Sequence, residues 1–148
     1  MSLEILKRHE GFRATCYKCT AGKLTIGYGY NLEANPLKLR ASEVEDMIEN
    51  GITRHFAEIL LTMMVCEITK TLQVKIEGFE KLDEARRWVL INMCYNMGLN
   101  GLLGFKNTLE FIRKGNYESA AYNMMKSKWA AQVKGRASEL AKIMRDGI

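Results

Sequence analysis

The chain has 148 residues, 47% hydrophobic and 26% charged, which is enough length and apolar content for one compact domain with a core and excludes disorder. No apolar run reaches the ~20 residues of a membrane-spanning helix, since the greasiest stretch, 59–66, ends at Glu67 and Lys70. A net charge of +5 fits either a polyanionic partner (nucleic acid, an anionic membrane or an anionic wall) or a solvated, mildly basic surface.

Met1-Ser2-Leu3-Glu4 lacks the basic, apolar and small-residue series of a secretory signal, so the chain is expected to be made and folded in the cytosol, with Cys16, Cys19, Cys66 and Cys94 reduced. Ser2 can cap a short helix that runs through Glu10 and stops at Gly11. Thr15-Cys16-Tyr17-Lys18 and Lys23-Leu24-Thr25-Ile26 read as a hairpin turning at Ala21-Gly22, with Gly27-Tyr28-Gly29 continuing it as a kinked or bulged strand. Asn35-Pro36 marks a loop. Ser42-Glu43-Val44-Glu45 has capping-box spacing, and Thr53 can cap the next segment. From Thr53 to about Leu72 an apolar stripe is expected at Phe56, Ile59, Leu60, Met63, Met64 and Ile68. A run from Asp83 to Met97, apolar round most of its circumference, predicts the central core helix, broken by Gly98, Gly101 and Gly104. Short helices are expected near 107–113, from an Asn116 cap through Lys128, and over about 136–145. No linker or repeat divides the chain, so the layout is a single domain, α+β and mostly α-helical. It has a small hairpin lobe at about 11–50, and a larger helical lobe at about 53–148 together with the N-terminal helix.

Three kinds of site can be drawn from the residues. Cys16-x-x-Cys19 has the spacing of half a zinc site or a redox dithiol, but no second half accompanies it, and strand residues three apart point to opposite faces. Glu10, at a helix carboxy terminus, meets the negative end of the dipole, which favours a protonated general acid; its alternative is an ordinary surface glutamate. Lys126, Lys128, Lys134, Arg136, Lys142 and Arg145 make the carboxy-terminal region basic. The interleaved Met124, Met125, Trp129, Leu140 and Ile143 instead read as buried helix faces, which argues against a nucleic-acid partner.

His9-Glu10-Gly11-Phe12-Arg13, Tyr17-Lys18-Cys19-Thr20 and Leu24-Thr25-Ile26-Gly27-Tyr28-Gly29 resemble the active-site region of the T-even-phage type lysozymes, the muramidases of glycoside hydrolase family 24. The resemblance continues in the same order through Arg86-Arg87, Ile91-Asn92-Met93, Asn96-Met97-Gly98, Gly104-Phe105, Ala120-Ala121-Tyr122-Asn123, Lys126-Ser127-Lys128-Trp129 and Arg136-Ala137. It implies a lysozyme-like fold with the active-site cleft between the hairpin and helical lobes, and cleavage of the β-1,4 bond between N-acetylmuramic acid and N-acetylglucosamine in bacterial peptidoglycan. By position, Glu10 would be the general acid, and Thr25 would orient a water or hydroxyl at the far face of the sugar. Arg136 would approach Glu10, and Tyr95, Asn96, Thr108, Asn123 and Trp129 would line or support the saccharide cleft. No metal is expected, because neither Cys66 nor Cys94 has a partner two residues away and His9 and His55 form no ligand pair, and no cofactor is expected. The resemblance implies a monomer held in the host bacterial cytoplasm until a holin-like partner gives access to the wall, and then lysis.

Two positions depart from the family's pattern. Tyr30 stands where a histidine is frequent, removing a structural ion pair. Cys19 stands where an aspartate is usual, and glycoside hydrolysis normally uses two carboxyl groups. Either the Cys19 thiolate attacks the anomeric carbon or acts as base, or the chain is a lysozyme-like wall binder without catalysis.

Overall fold

Helix α1 (Leu3–Glu10) stops where Gly11 takes φ +68°, a left-handed conformation least costly for glycine, and its N–H closes on the Lys7 carbonyl at 2.9 Å. The structure is a computed structural model that describes residues 3–148, so the expected Ser2 cap lies outside the described residues. The architecture is α+β, mostly helical with one three-stranded antiparallel sheet. The described residues divide into two units, Leu3–Glu67 and Ile68–Ile148.

In the first unit β1 (Arg13–Lys18) pairs antiparallel with β2 (Leu24–Gly27), and Gly22 supplies the positive φ the turn needs. The expected continuation through Gly27-Tyr28-Gly29 is corrected: β2 ends at Gly27, the chain turns at Tyr28-Gly29, and it returns as β3 (Tyr30–Asn31) with Tyr30 opposite Ile26. Gly27 and Gly29 both have positive φ, which reverses a strand instead of merely kinking it. The irregularity lies in β1 instead, where Arg13 faces Gly27 but Tyr17 faces Thr25, leaving extra residues on the β1 side.

Helix α2 (Ala41–Asn50) is capped at Arg40, two residues before the expected Ser42 cap. Glu43 accepts from the Arg40 backbone N–H at 3.3 Å and from its guanidinium at 2.9 Å, so the box closes on Arg40. Thr53 caps α3 (Arg54–Lys75), its hydroxyl accepting from the Phe56 N–H at 3.1 Å. The expected stripe on α3 is partly wrong. Ile59 and Met63 are 42% and 45% exposed, whereas Ala57, Leu60, Leu61, Ile68 and Leu72 are buried. Apolar residues surround much of this helix, so periodicity alone does not choose the inward face. Ile26, Tyr30, Leu32, Met47 and Leu60 form one core cluster of this unit. Helix α1 is held by buried Leu6 and by Lys7, whose ammonium meets Glu58 of α3 at 2.9 Å.

The second unit is helical. After a 3-10 turn (Phe79–Lys81), Asp83 caps α4 (Glu84–Leu103) by accepting from the Arg86 N–H at 3.0 Å. Val89 through Cys94 are buried, as a core helix requires. Gly98 (φ +80°, ψ 166°) kinks α4 but does not end it, because the helix resumes to Leu103. Helix α5 (Lys106–Arg113) follows, and Asn116 caps α6 (Tyr117–Met125). This helix stops short of Lys128 because the Ser127 hydroxyl takes the Ala130 N–H at 3.1 Å and starts a separate helix, α7 (Lys128–Val133). The last helix, α8 (Gly135–Asp146), buries Ala137, Leu140, Ala141, Ile143 and Met144. Arg86 closes its end, donating to the Met144 and Arg145 carbonyls at 2.6 and 2.9 Å with its guanidinium over the Tyr117 ring.

Candidate active site

Glu10, Tyr17, Cys19 and Thr25 all belong to the first unit. Glu10 is the half-buried last residue of α1. Cys19 lies one residue beyond β1, half-buried, in a tight turn where its N–H donates to the Lys23 carbonyl at 2.9 Å and its carbonyl accepts from Gly22 at 2.8 Å. The strand-face argument for Cys16 and Cys19 therefore fails, since only Cys16 is in a strand. Cys16 instead packs on the apolar cluster, its sulfur 3.9 Å from the Ile48 carbonyl.

The turn stabilises the Cys19 thiolate. The main chain at Lys23 and Ala21 holds the thiol pKa below that of an ordinary cysteine; partial burial opposes this, and the Thr25 hydroxyl contributes less. Main-chain groups, not lysine charges, are the cause. Thr25 is buried, and its hydroxyl also reaches the Lys23 carbonyl at 2.8 Å. Having one proton, that hydroxyl donates to the carbonyl or to an ionised sulfur, but not to both. Cys94 behaves oppositely, with burial pushing its thiol up to about 11.

Tyr17 was not singled out as a site residue by the sequence. Burial raises the pKa of its phenol; the Glu10 charge adds to this, the Arg13 guanidinium 4.6 Å from its ring opposes it, and the Cys19 charge raises it again. The signal was its place within the Tyr17-Lys18-Cys19 run.

The remaining candidates lie in the second unit. The Arg136 Nε donates to the Asn92 side-chain carbonyl at 3.0 Å. Asn92 is a buried polar residue amid the apolar run of α4, an oddity that could have marked it beforehand. Asn96 is exposed on α4 and accepts from the Trp129 indole N–H at 2.7 Å, while the Trp129 ring is buried and packs edge-on to Phe105 at 5.9 Å. With its carbonyl so engaged, Asn96 has its amide N–H donors left for a ligand. Trp129 orients it. Thr108 is buried in α5, and Tyr95 and Asn123 are half-buried on α4 and α6.

The phage lysozyme family model matches residues 7–145. The chain belongs to the phage lysozyme family. It is 28% identical to probable T4-type lysozyme 1 of Dictyostelium discoideum over 97% of this chain and 93% of that protein. It is 26% identical to the endolysin of Acyrthosiphon pisum secondary endosymbiont phage 1 over 97% of this chain and 87% of that one. The pre-baseplate central spike protein of Enterobacteria phage T4 matches at 25% over 97% of this chain but only 27% of the larger protein. This phage lysozyme is accordingly a hydrolase of the muramidase type with peptidoglycan as its substrate. Within the lysozyme Tyr30 is buried, its hydroxyl donating to Asn35 at 2.7 Å and accepting from the Leu37 N–H at 3.2 Å. Neutral hydrogen bonds serve at this position.

Proposed function

We propose that this lysozyme cleaves the β-1,4 bond between N-acetylmuramic acid and N-acetylglucosamine by double displacement, with Glu10 as acid and Cys19 as nucleophile. What supports this reading is the Cys19 turn, closed by the Cys19 N–H on the Lys23 carbonyl at 2.9 Å and by the Gly22 N–H on the Cys19 carbonyl at 2.8 Å, in which the thiol pKa lies below its ordinary value. In the first step Glu10 protonates the glycosidic oxygen and the thiolate attacks the anomeric carbon, so a C–S bond forms as the C–O bond breaks. In the second, the Glu10 carboxylate takes a proton from water, the resulting hydroxide displaces sulfur from the anomeric carbon, and the thiolate returns. The Thr25 hydroxyl, which otherwise donates to the Lys23 carbonyl at 2.8 Å, turns to donate to the ionised sulfur before attack and again when the thiolate leaves.

In this reading Asn96, presented by Trp129, donates hydrogen bonds to saccharide oxygens. Tyr95, Thr108 and Asn123 serve saccharide binding in the second unit, and Arg136, held by Asn92, serves as a supporting residue. The enzyme waits in the host bacterial cytoplasm, as a monomer, until a membrane-permeabilising partner of the holin kind exposes the wall. No described helix is long and apolar enough to cross a membrane.

Purified peptidoglycan incubated with wild type, Cys19→Ala and Cys19→Asp tests the mechanism. Wild type is expected to release reducing ends, Cys19→Ala to lose nearly all activity, and Cys19→Asp to keep a substantial share because a carboxylate replaces the thiolate. Undiminished release by a folded Cys19→Ala protein rejects the nucleophile.

A further inference from the structure

Leu24 stands between two residues of the Cys19 site. On one side is Lys23, whose carbonyl accepts from the Cys19 N–H at 2.9 Å and from the Thr25 hydroxyl at 2.8 Å; on the other is Thr25 itself. The sheet alone does not hold Leu24 on its β3 side, because β3 has only two residues and its register with β2 ends at Thr25 opposite Asn31. Residues after β3 take over. The Leu32 N–H donates to the Leu24 carbonyl at 2.9 Å, and the Leu24 N–H donates to the Glu33 carboxylate at 2.5 Å. A side chain thus supplies the acceptor that a longer strand would have supplied from its backbone. Because the acceptor is charged, the bond is roughly twice as strong as a neutral one.

The segment that carries Glu33 is itself fixed. The Asn31 side chain accepts from the Ala34 N–H at 2.9 Å. The Asn35 side chain accepts from the Tyr30 hydroxyl at 2.7 Å and the Leu39 N–H at 3.0 Å, and donates to the Leu39 carbonyl at 2.8 Å. Leu32, next to Glu33, is buried in the core cluster of this unit. We propose that Glu33 is a positioning residue for bond cleavage, clamping the Leu24 main chain so that Lys23 and Thr25 stay set against Cys19. This rests on Cys19 acting as the nucleophile. The clamp differs from an effect of charge: the glutamine carbonyl of Glu33→Gln still accepts from the Leu24 N–H, whereas Glu33→Ala has no acceptor. An effect of charge would be lost equally in both.

The test compares intact wild type with Glu33→Ala and Glu33→Gln, by amide hydrogen exchange without substrate and by the kinetics of reducing-end release from peptidoglycan. Glu33 is exposed, so neither change opens the core. In Glu33→Ala the Leu24 and Cys19 amides should exchange about tenfold faster, and kcat should fall about tenfold with KM unchanged. Glu33→Gln should stay within about threefold of wild type in every reading. Unchanged exchange at Leu24 and Cys19, a rise in KM without a fall in kcat, or equal losses in both variants would each overturn the inference. Undiminished release by Cys19→Ala rejects the nucleophile and this inference with it. Full kcat in Glu33→Ala, in an enzyme that Cys19→Ala inactivates, rejects the clamp alone.

Discussion

The two units of the chain divide charge and chemistry unequally. Residues 3–67 carry eight lysines and arginines against nine aspartates and glutamates, while residues 68–148 carry fourteen against eight. The basic character thus belongs to the second unit, whereas the acid and thiol proposed for bond cleavage sit in the first. A near-neutral surrounding suits Glu10 and Cys19, whose roles require opposite protonation states, because a strongly basic one would favour ionising both. The excess cations of the second unit suit the capture of an anionic wall polymer.

If this division holds, substitutions in the first unit act on kcat and those in the second on KM. The largest effect is expected from Glu10→Gln, which removes the proton donor and should lower kcat by ~10²–10⁴-fold while the circular dichroism spectrum stays native. A mutant that keeps its rate refutes the acid assignment.

A pH experiment sharpens the same half of the comparison. In the proposed mechanism activity needs the Cys19 thiolate, which forms as pH rises. Because the turn lowers the thiol pKa, the rising limb should lie below the ~8.5 of an ordinary cysteine. Alkylation of Cys19 by iodoacetamide followed against pH should show the same midpoint. Cys94, buried and raised to about 11, should stay unlabelled across that range. A Cys19 midpoint at or above 8.5 would remove the role given to the turn.

In the second unit, Trp129→Phe keeps the ring packed on Phe105 but deletes the bond to Asn96. With Asn96 no longer oriented, KM should rise about fivefold, the equivalent of one ordinary hydrogen bond of ~1 kcal/mol, and kcat should change little. A fall confined to kcat would place Trp129 with the chemistry instead. The smallest effect is expected from charge alone. Lys128→Glu in the second unit should raise KM roughly twofold at low ionic strength and not at high salt, where the ~8–10 Å screening length shortens further. The same change at Lys38, in the first unit, should leave KM unmoved; equal effects of the two would dissolve the contrast.

The sequence alone determined the element types along most of the chain, because their signals are local. Gly11 and Gly22 need positive φ, Thr53, Asp83 and Asn116 cap helices with their own side chains, and the 84–97 run is apolar all round. The resemblance in Glu10, Thr25 and their glycine neighbours was equally legible, since it depends only on residue type and spacing. Only the tertiary structure decided which face of α3 turns inward, leaving Ile59 and Met63 exposed, because apolar residues occupy several of its faces and packing partners choose among them. It also decided that Gly27-Tyr28-Gly29 reverses into a third strand, that Gly98 bends α4 without ending it, and that Trp129 is buried to orient Asn96. The state of Cys19 belongs with these. Its thiol pKa is lowered by the main chain at Lys23 and Ala21, groups that every such residue carries and that only the closure of the turn brings to Cys19.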